Sequence, residues 1–494
     1  MNMKRTSSFL TIKDTKDHGQ ALITTRKLSP GRHGLLAFSE TALLTFPPAD
    51  KSGPVPDLLA PSPQLWADWC FFQQQPEDIQ MRVLDMYTEM ECPHACSLRH
   101  YLEEKAQRAS QEEEKCSEVL DNIEDFVRLT MVVRFNAVEL CPPSEDGLGP
   151  GTNYGHGLFE KACKMSHSCK PNCVWMTSQD GKEKLVRVIT TIEKGEELTV
   201  DYVGQSLSSV PERREELLES KGFLCNCDRC AAKSDDTRRF ACISHQSTNC
   251  HGWHNVRQDL LASEPIFLPC NKCGANATQE FASIEVKKEY QLWEEVKELG
   301  GTESTDSFVK SEDRIMRLDP PHHFHSLAER CYELQGDLHS LVGDYRSAAE
   351  AYSKQIHCRN AILGNEYHSQ ATAFTCEKLG DALMHVNVEE AEEAYKRTVR
   401  SLQIMRGDSS DPYSRCAINK LLEVQNIRIH SHGFPNETGL KGIADPPNGP
   451  PNTAFPCELC GNPSVTDHTY LGRALNYCCS EHQRMHLSVL YDTT

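Results

Sequence analysis

The spacing of apolar positions changes several times along the chain, and each change marks a different element. Ala21 to Thr25 and Leu35 to Phe38 are short apolar runs on either side of the turn Ser29-Pro30-Gly31-Arg32-His33-Gly34, a pattern that predicts a β-hairpin. Between Gln64 and about Val133 the spacing is helical. Trp66, Trp69, Phe72, Ile79, Val83, Met86 and Tyr87 recur at helical intervals, and an acidic helix follows around Tyr101 to Phe126. Core packing of an all-helical insert accounts for that run. Thr130 to Val138 reads as a β-rich run, and Pro142 to Gly157 as a glycine-rich loop. Leu185 to Ile189 then alternates, Lys194-Gly195 supplies a turn, and Glu197 to Tyr202 predicts a strand that ends in a tyrosine. Pro211 to Ser220 is a short helix, with proline tolerated in its first turn.

From Glu285 to about His430 the pattern is helical again, and it repeats. Glu350-Ala351-Tyr352 recurs as Glu393-Ala394-Tyr395 and Gly364 as Gly407, both at a spacing of 43, while Gly336-Asp337 recurs approximately as Gly380-Asp381. Alanine-rich helix pairs at this period resemble tetratricopeptide (TPR) repeats, although the period is longer than the usual one of about 34. Such units stack into a superhelix whose concave face binds peptides or packs on a neighbouring domain. A peptide ligand of that groove is therefore an expected partner.

A length of 494 residues suggests two to four domains. Composition adds that 38% of residues are hydrophobic and 25% charged, as in an ordinary soluble globular protein. No long apolar run predicts a membrane span, and Met1 to Asp17 is polar, without a signal-peptide core. An intracellular protein, of cytoplasm or nucleus, is expected. The net charge of −19 argues against direct nucleic-acid binding and is compatible with a basic partner such as a lysine-rich protein tail.

In a reducing compartment the 23 cysteines are expected as free thiols and metal ligands rather than as disulfides. One group is Cys225-x-Cys227-x2-Cys230; upstream of it the stretch His167, Ser168, Cys169, Pro171, Asn172 and Cys173 is too densely polar for a strand or an amphipathic helix. A second is Cys242, Cys250, Cys270 and Cys273, read as a small zinc ribbon in which His251 or His254 could replace one thiolate. A third lies in the tail after the Pro446 to Pro451 linker: Cys457, Cys460, Cys479 and His482 have the spacing for one tetrahedral site, with Cys478 and His486 as substitutes.

Ser166-His167-Ser168-Cys169-Lys170-Pro171-Asn172-Cys173, Gly195-Glu196-Glu197-Leu198-Thr199-Val200-Asp201-Tyr202 and the cysteine triplet at 225, 227 and 230 together resemble the catalytic half of a SET-domain lysine methyltransferase, in particular of the SET and MYND (SMYD) family. The tail resembles part of a MYND finger, moved to the C-terminus. The resemblance implies an α+β protein: a SET β-fold with a pseudo-knot and a helical insert, small zinc modules, and an all-α TPR-like C-terminal domain. The corresponding parts are an arm at 1–19, the SET N-terminal part at 20–48, a linker and helical insert at 49–133, the SET core at 134–210 and a post-SET zinc loop at 211–232. A ribbon at 233–280, the TPR-like domain at 281–431, a linker at 432–455 and the partial finger at 456–494 complete the chain.

The resemblance further implies transfer of a methyl group from S-adenosylmethionine (SAM) to a lysine of a histone or other protein, with Tyr202 orienting the amine. Arg32, His33, Gly34, Asn136, Ser166, His167, Tyr202 and Phe223 occupy the SAM-binding positions, and Cys169 joins Cys225, Cys227 and Cys230 around zinc. Three positions depart from the pattern: Arg32 at a glycine, Ser166 at an asparagine and Lys221 at a tyrosine. They leave a second reading, an inactive SET-fold scaffold that binds partners through its TPR-like domain and finger.

Overall fold

The computed structural model describes residues 9–15, 19–31, 34–48, 63–108, 121–145, 150–204, 206–257, 265–302, 304–407, 411–432, 466–470 and 473–477. The chain divides into two units, residues 1–143 with 150–232, and residues 144–149 with 233–494.

The first unit is β-rich around a helical insert. β1 (Leu10–Thr15) and β2 (Gly19–Thr24) form an antiparallel hairpin in which Leu10 faces Thr24 and Thr15 faces Gly19. The arm expected at 1–19 is thus a strand in part, because Leu10 and its neighbours find a partner edge in β2. The hairpin expected between Ala21–Thr25 and Leu35–Phe38 does not form. One edge of β2 is taken by β1 and the other by residues 196–198, through bonds Thr24 N to Glu196 O (3.1 Å) and Leu198 N to Leu22 O (2.8 Å). β3 (Leu35–Thr41) pairs instead with β9 (Glu183–Val188), which also holds β8 (Cys173–Thr177). The Ser29–Gly34 turn therefore carries the chain between two sheets. β4 (Leu44–Phe46), β6 (His156–Leu158) and β5 (Val138–Glu139) make a third sheet.

The alternation in β9 follows the two-residue pleat: Val186 and Val188 are buried with Phe38, Leu22 and Cys173. Lys184 shares that face and is 4% exposed. Its ammonium is kept by donating to Glu139 O (2.8 Å) and Thr177 Oγ1 (3.1 Å), and burial lowers its pKa to about 8.

The insert contains helices Pro63–Gln73, Glu77–Leu84, Pro93–Arg108 and Ile123–Asn136 around a core that includes Trp69, Phe72, Val83 and Leu102. The strand expected from Thr130 to Val138 is a correction: the helix runs through Asn136, and only Val138–Glu139 is extended. Phe126, Leu129, Val132 and Asn136 are buried at intervals of three and four, so the helix seats one face on the insert core and overrides the β propensity of the valines.

In the second unit β11 (Ser234–Ala241), β12 (Trp253–Arg257) and β13 (Ile266–Phe267) form a small antiparallel sheet. Helix Gln279–Gly300 leads to the antiparallel helices Ser326–Leu341, Tyr345–Leu363, Gln370–Leu383, Val388–Arg406 and Pro412–His432. The repeat seen in the sequence is one interaction built twice. The Tyr352 ring covers Gly336, its hydroxyl donates to Asp337 Oδ1 (2.7 Å), and Lys378 of the next helix donates to the same carboxylate (2.9 Å). The Tyr395 ring covers Gly380, its hydroxyl donates to Asp381 Oδ1 (2.6 Å), and Lys420 closes on Asp381 at 2.9 Å.

A Cβ on Gly380 would lie 2.7 Å from Tyr395 Cε1, which no packed ring tolerates. Gly380→Ala is therefore expected to destabilise the protein by about 1–3 kcal/mol, although alanine is the better helix former. Denaturant unfolding checks this, and an unchanged or raised midpoint would contradict the contact.

β14 (Thr466–Tyr470) and β15 (Arg473–Tyr477) form a hairpin. Cys457, Cys460, Cys479 and His482, the terminal zinc set, lie outside the described residues, as do residues 49–62, where the first linker is expected, and all but His432 of the linker expected at 432–455.

Candidate functional site

The two polar motifs meet at β7 (Ser166–His167) and β10 (Thr199–Val200), which pair in parallel, Ser166 with Thr199 and His167 with Val200. The expected strand Glu197–Tyr202 is thus shared: Leu198 adds to β2 and Thr199–Val200 to β7. Asn172 fastens the crossing. Its amide donates to Glu197 O (2.7 Å), and its Oδ1 accepts from Thr199 N (2.8 Å). Sequence density alone marked this loop; the structure assigns Asn172 to holding the two motifs together.

Tyr202 leaves this crossing partly buried. Its ring lies parallel to Trp175, centroids 5.8 Å apart, and edge-on to Phe223 at 6.4 Å. Its hydroxyl donates to Met165 O. Burial first, then electrostatic interaction with Cys163 and Glu197, push its pKa up, so the phenol stays protonated. Its backbone N–H donates to His167 Nδ1 (3.2 Å). Because Nδ1 accepts, we assign the imidazole proton to Nε2, which lies 3.2 Å from Cys169 Sγ. Burial lowers the pKa of His167 despite Asp201 nearby, which keeps the ring neutral for this role. One imidazole thus joins Tyr202 to the first cysteine cluster.

That cluster consists of Cys169, Cys225, Cys227 and Cys230, whose sulfurs all lie within 4.8 Å of one another. The Cys169 sulfur is 3.8 Å from that of Cys225 and 3.5 Å from that of Cys230. Disulfide sulfurs would be about 2 Å apart. Four thiolates placed tetrahedrally at about 2.3 Å from one zinc are about 3.8 Å apart, so the donor set fits zinc. Hydrogen bonds that it donates to the other three sulfurs push the Cys169 thiol up, whereas the same crowding pulls Cys227 down, toward the thiolate a metal would take. Arg213 Nη2 approaches Cys230 Sγ at 3.6 Å and compensates that charge.

The helix Val210–Lys221 delivers the loop. Ser209 and Glu212 make a capping box at its start, and Gly222, in the left-handed region at φ +75°, ends it so that Phe223 and Cys225 can turn back. Arg214 then donates to Cys225 O and Cys230 O, both at 3.0 Å, and Arg229 to Cys169 O at 3.1 Å.

Beside Tyr202 is a cleft of about 210 Å³ whose walls include Phe135, Asn136, Glu139, Cys163, Trp175 and Lys221. Of the expected SAM positions, Asn136 and Tyr202 line it. Asn136 is buried at the end of its helix, its amide donating to Val132 O (2.8 Å) and Tyr87 O (2.7 Å). His167 and Phe223 stand behind the wall, packed on Tyr202. Ser166 is buried in β7, and Gly34 precedes β3 with φ +68°. Neither borders the cleft. Arg32 and His33 lie outside the described residues.

Trp175 was not singled out from the sequence. Two-residue periodicity from Cys173 was the available signal, since it places both side chains on one face of β8.

In the second unit Cys242, Cys250, Cys270 and Cys273 likewise bring their sulfurs within 4.8 Å, with 3.5 Å between Cys242 and Cys273 and 3.8 Å between Cys250 and Cys270. This set also fits zinc, without a histidine. His254 is buried and engaged with Leu268 O and Ile243 N, so it is not free to replace a thiolate.

Residues 22–203 match the SET domain family. The chain is 30% identical to histone-lysine N-methyltransferase SMYD3 of Mus musculus over 142 residues, 29% of each protein, and 30% identical to its Homo sapiens counterpart over 140 residues. It is 34% identical to histone-lysine N-methyltransferase SET5 of Candida glabrata over 117 residues, 23% of this chain and 22% of that protein. The chain thus spans less than a third of the length of these relatives. Among the described residues no helix is long and apolar enough to cross a membrane. The chain is thus mixed α+β, with a β-rich region that matches the SET domain family, two four-cysteine clusters and a helical C-terminal region, and over 142 residues it is related at 30% identity to a SMYD methyltransferase.

Proposed function

We propose that the first unit is a SAM-dependent protein-lysine methyltransferase, acting on a lysine of a histone or another protein. The observation that carries this reading is the cleft bounded by Tyr202 where the two motifs cross, with the cysteine loop beside it. Aromatic walls with Asn136 and Glu139 among the lining residues suit an alkyl amine and the reactive end of a methylsulfonium donor.

SAM would supply an activated methyl group. The chain has to align the amine with it, exclude water and accept the transient charge. Trp175 and Phe223 hold the Tyr202 ring, and His167 holds its backbone, so the phenol is preorganised at the cleft. Asn136, Ser166, His167, Phe223 and Gly34 are the described residues proposed for SAM, with Arg32 and His33 in the same turn as Gly34. Cysteine-bound zinc at Cys169, Cys225, Cys227 and Cys230 would keep the loop closed over the acceptor.

Calorimetric titration of SAM into the full, zinc-loaded protein tests the reading without a guess at the substrate. A dissociation constant near micromolar, about −8 kcal/mol, is expected. No detectable heat from a folded, zinc-loaded sample would overturn it and favour the scaffold.

A further inference from the structure

Lys221 departs from the family pattern, and it stands in the cleft. It is the last residue of its helix, and its side chain crosses to the neighbouring helix end, where Nζ donates to Arg134 O at 3.1 Å. Nζ also lies 6.0 Å from the centre of the Tyr202 ring, within cation–π range. Among the described residues that line the cleft, Lys221 carries the one amine. Lys184, which is bonded to the backbone of the lining residue Glu139, is spent on Glu139 O and Thr177 Oγ1.

We propose that Lys221 is itself a methyl acceptor, modified in cis in the cleft it shares with Tyr202. The inference rests on the methyltransferase reading above. Tethering removes the bimolecular encounter that a foreign lysine must make, so Lys221 competes at a high effective concentration. Burial first, and the Arg134 charge second, lower its pKa below the ordinary lysine value, which raises the share of neutral amine. The neutral Nζ uses its lone pair to form an N–C bond to the methyl carbon of the donor. The C–S bond breaks, its electron pair returns to sulfur, and the new ammonium releases a proton to water.

The product has a place to sit. Each methyl removes an N–H donor and favours an aromatic neighbourhood, and the cleft offers Phe135, Trp175 and Tyr202. Full methylation would abolish the bond to Arg134 O, so the side chain would be freed from the helix end and held by the rings.

The test incubates the full-length zinc-loaded protein with SAM carrying a deuterated methyl group and maps its peptides by mass spectrometry. The expected result is label on Lys221, at a rate per molecule unchanged by a tenfold dilution of the protein, and none at that position in Lys221→Arg. A readout independent of the cofactor is reductive methylation of the folded protein with formaldehyde and a borane: Lys221 is expected to react, and Lys184 to resist until unfolding. Label on an added histone pool or on other lysines, with Lys221 unmodified, would overturn the inference and leave the methyltransferase reading standing. A rate that falls tenfold on dilution would overturn the cis assignment. No label on any lysine, together with no heat of SAM binding, would bring down both.

Discussion

Cys227→Ser is expected to remove one equivalent of zinc and to open the loop from 206 to 232. A serine hydroxyl is a poor zinc ligand at neutral pH, and the three remaining sulfurs would face one another within 4.8 Å with less cation to neutralise them. Loss of a structural metal belongs to the few changes that cost more than about 4 kcal/mol. Hydrogen bonds from Arg214 to the loop carbonyls and from Arg229 of the loop to Cys169 O offset part of that cost, so the rest of the unit is expected to stay folded. The effect should reach the cleft, because Cys169 is bonded to His167 and His167 to the backbone of Tyr202.

Metal analysis should therefore show the loss of one zinc, hydrogen exchange should rise over 206–232, and methyl transfer should fall with them. The matching change at Cys270 should also release one zinc but leave exchange in the first unit unchanged. Full zinc content in the Cys227 variant would sink the four-thiolate assignment.

What the sequence made legible was chemistry held in short spacings. Cys225, Cys227 and Cys230 are close in the chain, and Cys169 was added by resemblance; the fold brings all four together. The glycine–tyrosine recurrence in the helical region likewise marked a repeated contact, since a ring can press on a helix backbone only where no Cβ stands.

Pairing was less legible, because strand partners are set by edges contributed from far along the chain. Nothing local told Ala21–Thr25 that residues 10–15 and 196–198 would take its two edges, or told Leu35 that Val188 would face it. The run Thr130 to Val138 misled for the opposite reason: its β-branched residues are a weak local preference, and a buried helical face outweighed it. Lys221 could be read as a departure, but only the fold shows that its amine shares a cleft with Tyr202.

Tyr202→Phe carries the largest expected effect on activity. The phenol hydroxyl donates to Met165 O, and Tyr202 lines the cleft, so loss of that group deletes the one hydroxyl among the described lining residues while leaving the ring against Trp175 and Phe223. Positioned groups of this kind contribute about a hundredfold to ten-thousandfold, so methyl transfer to a histone pool should fall by at least about a hundredfold. The structural cost is smaller. Met165 O loses its donor, a penalty of about 1–3 kcal/mol, while ring packing is kept and SAM binding should persist. Transfer and stability therefore separate: a variant that melts close to the native protein, binds SAM and fails to methylate supports Tyr202 as the catalytic tyrosine. A variant that methylates at the native rate would show that the hydroxyl serves only to hold Met165.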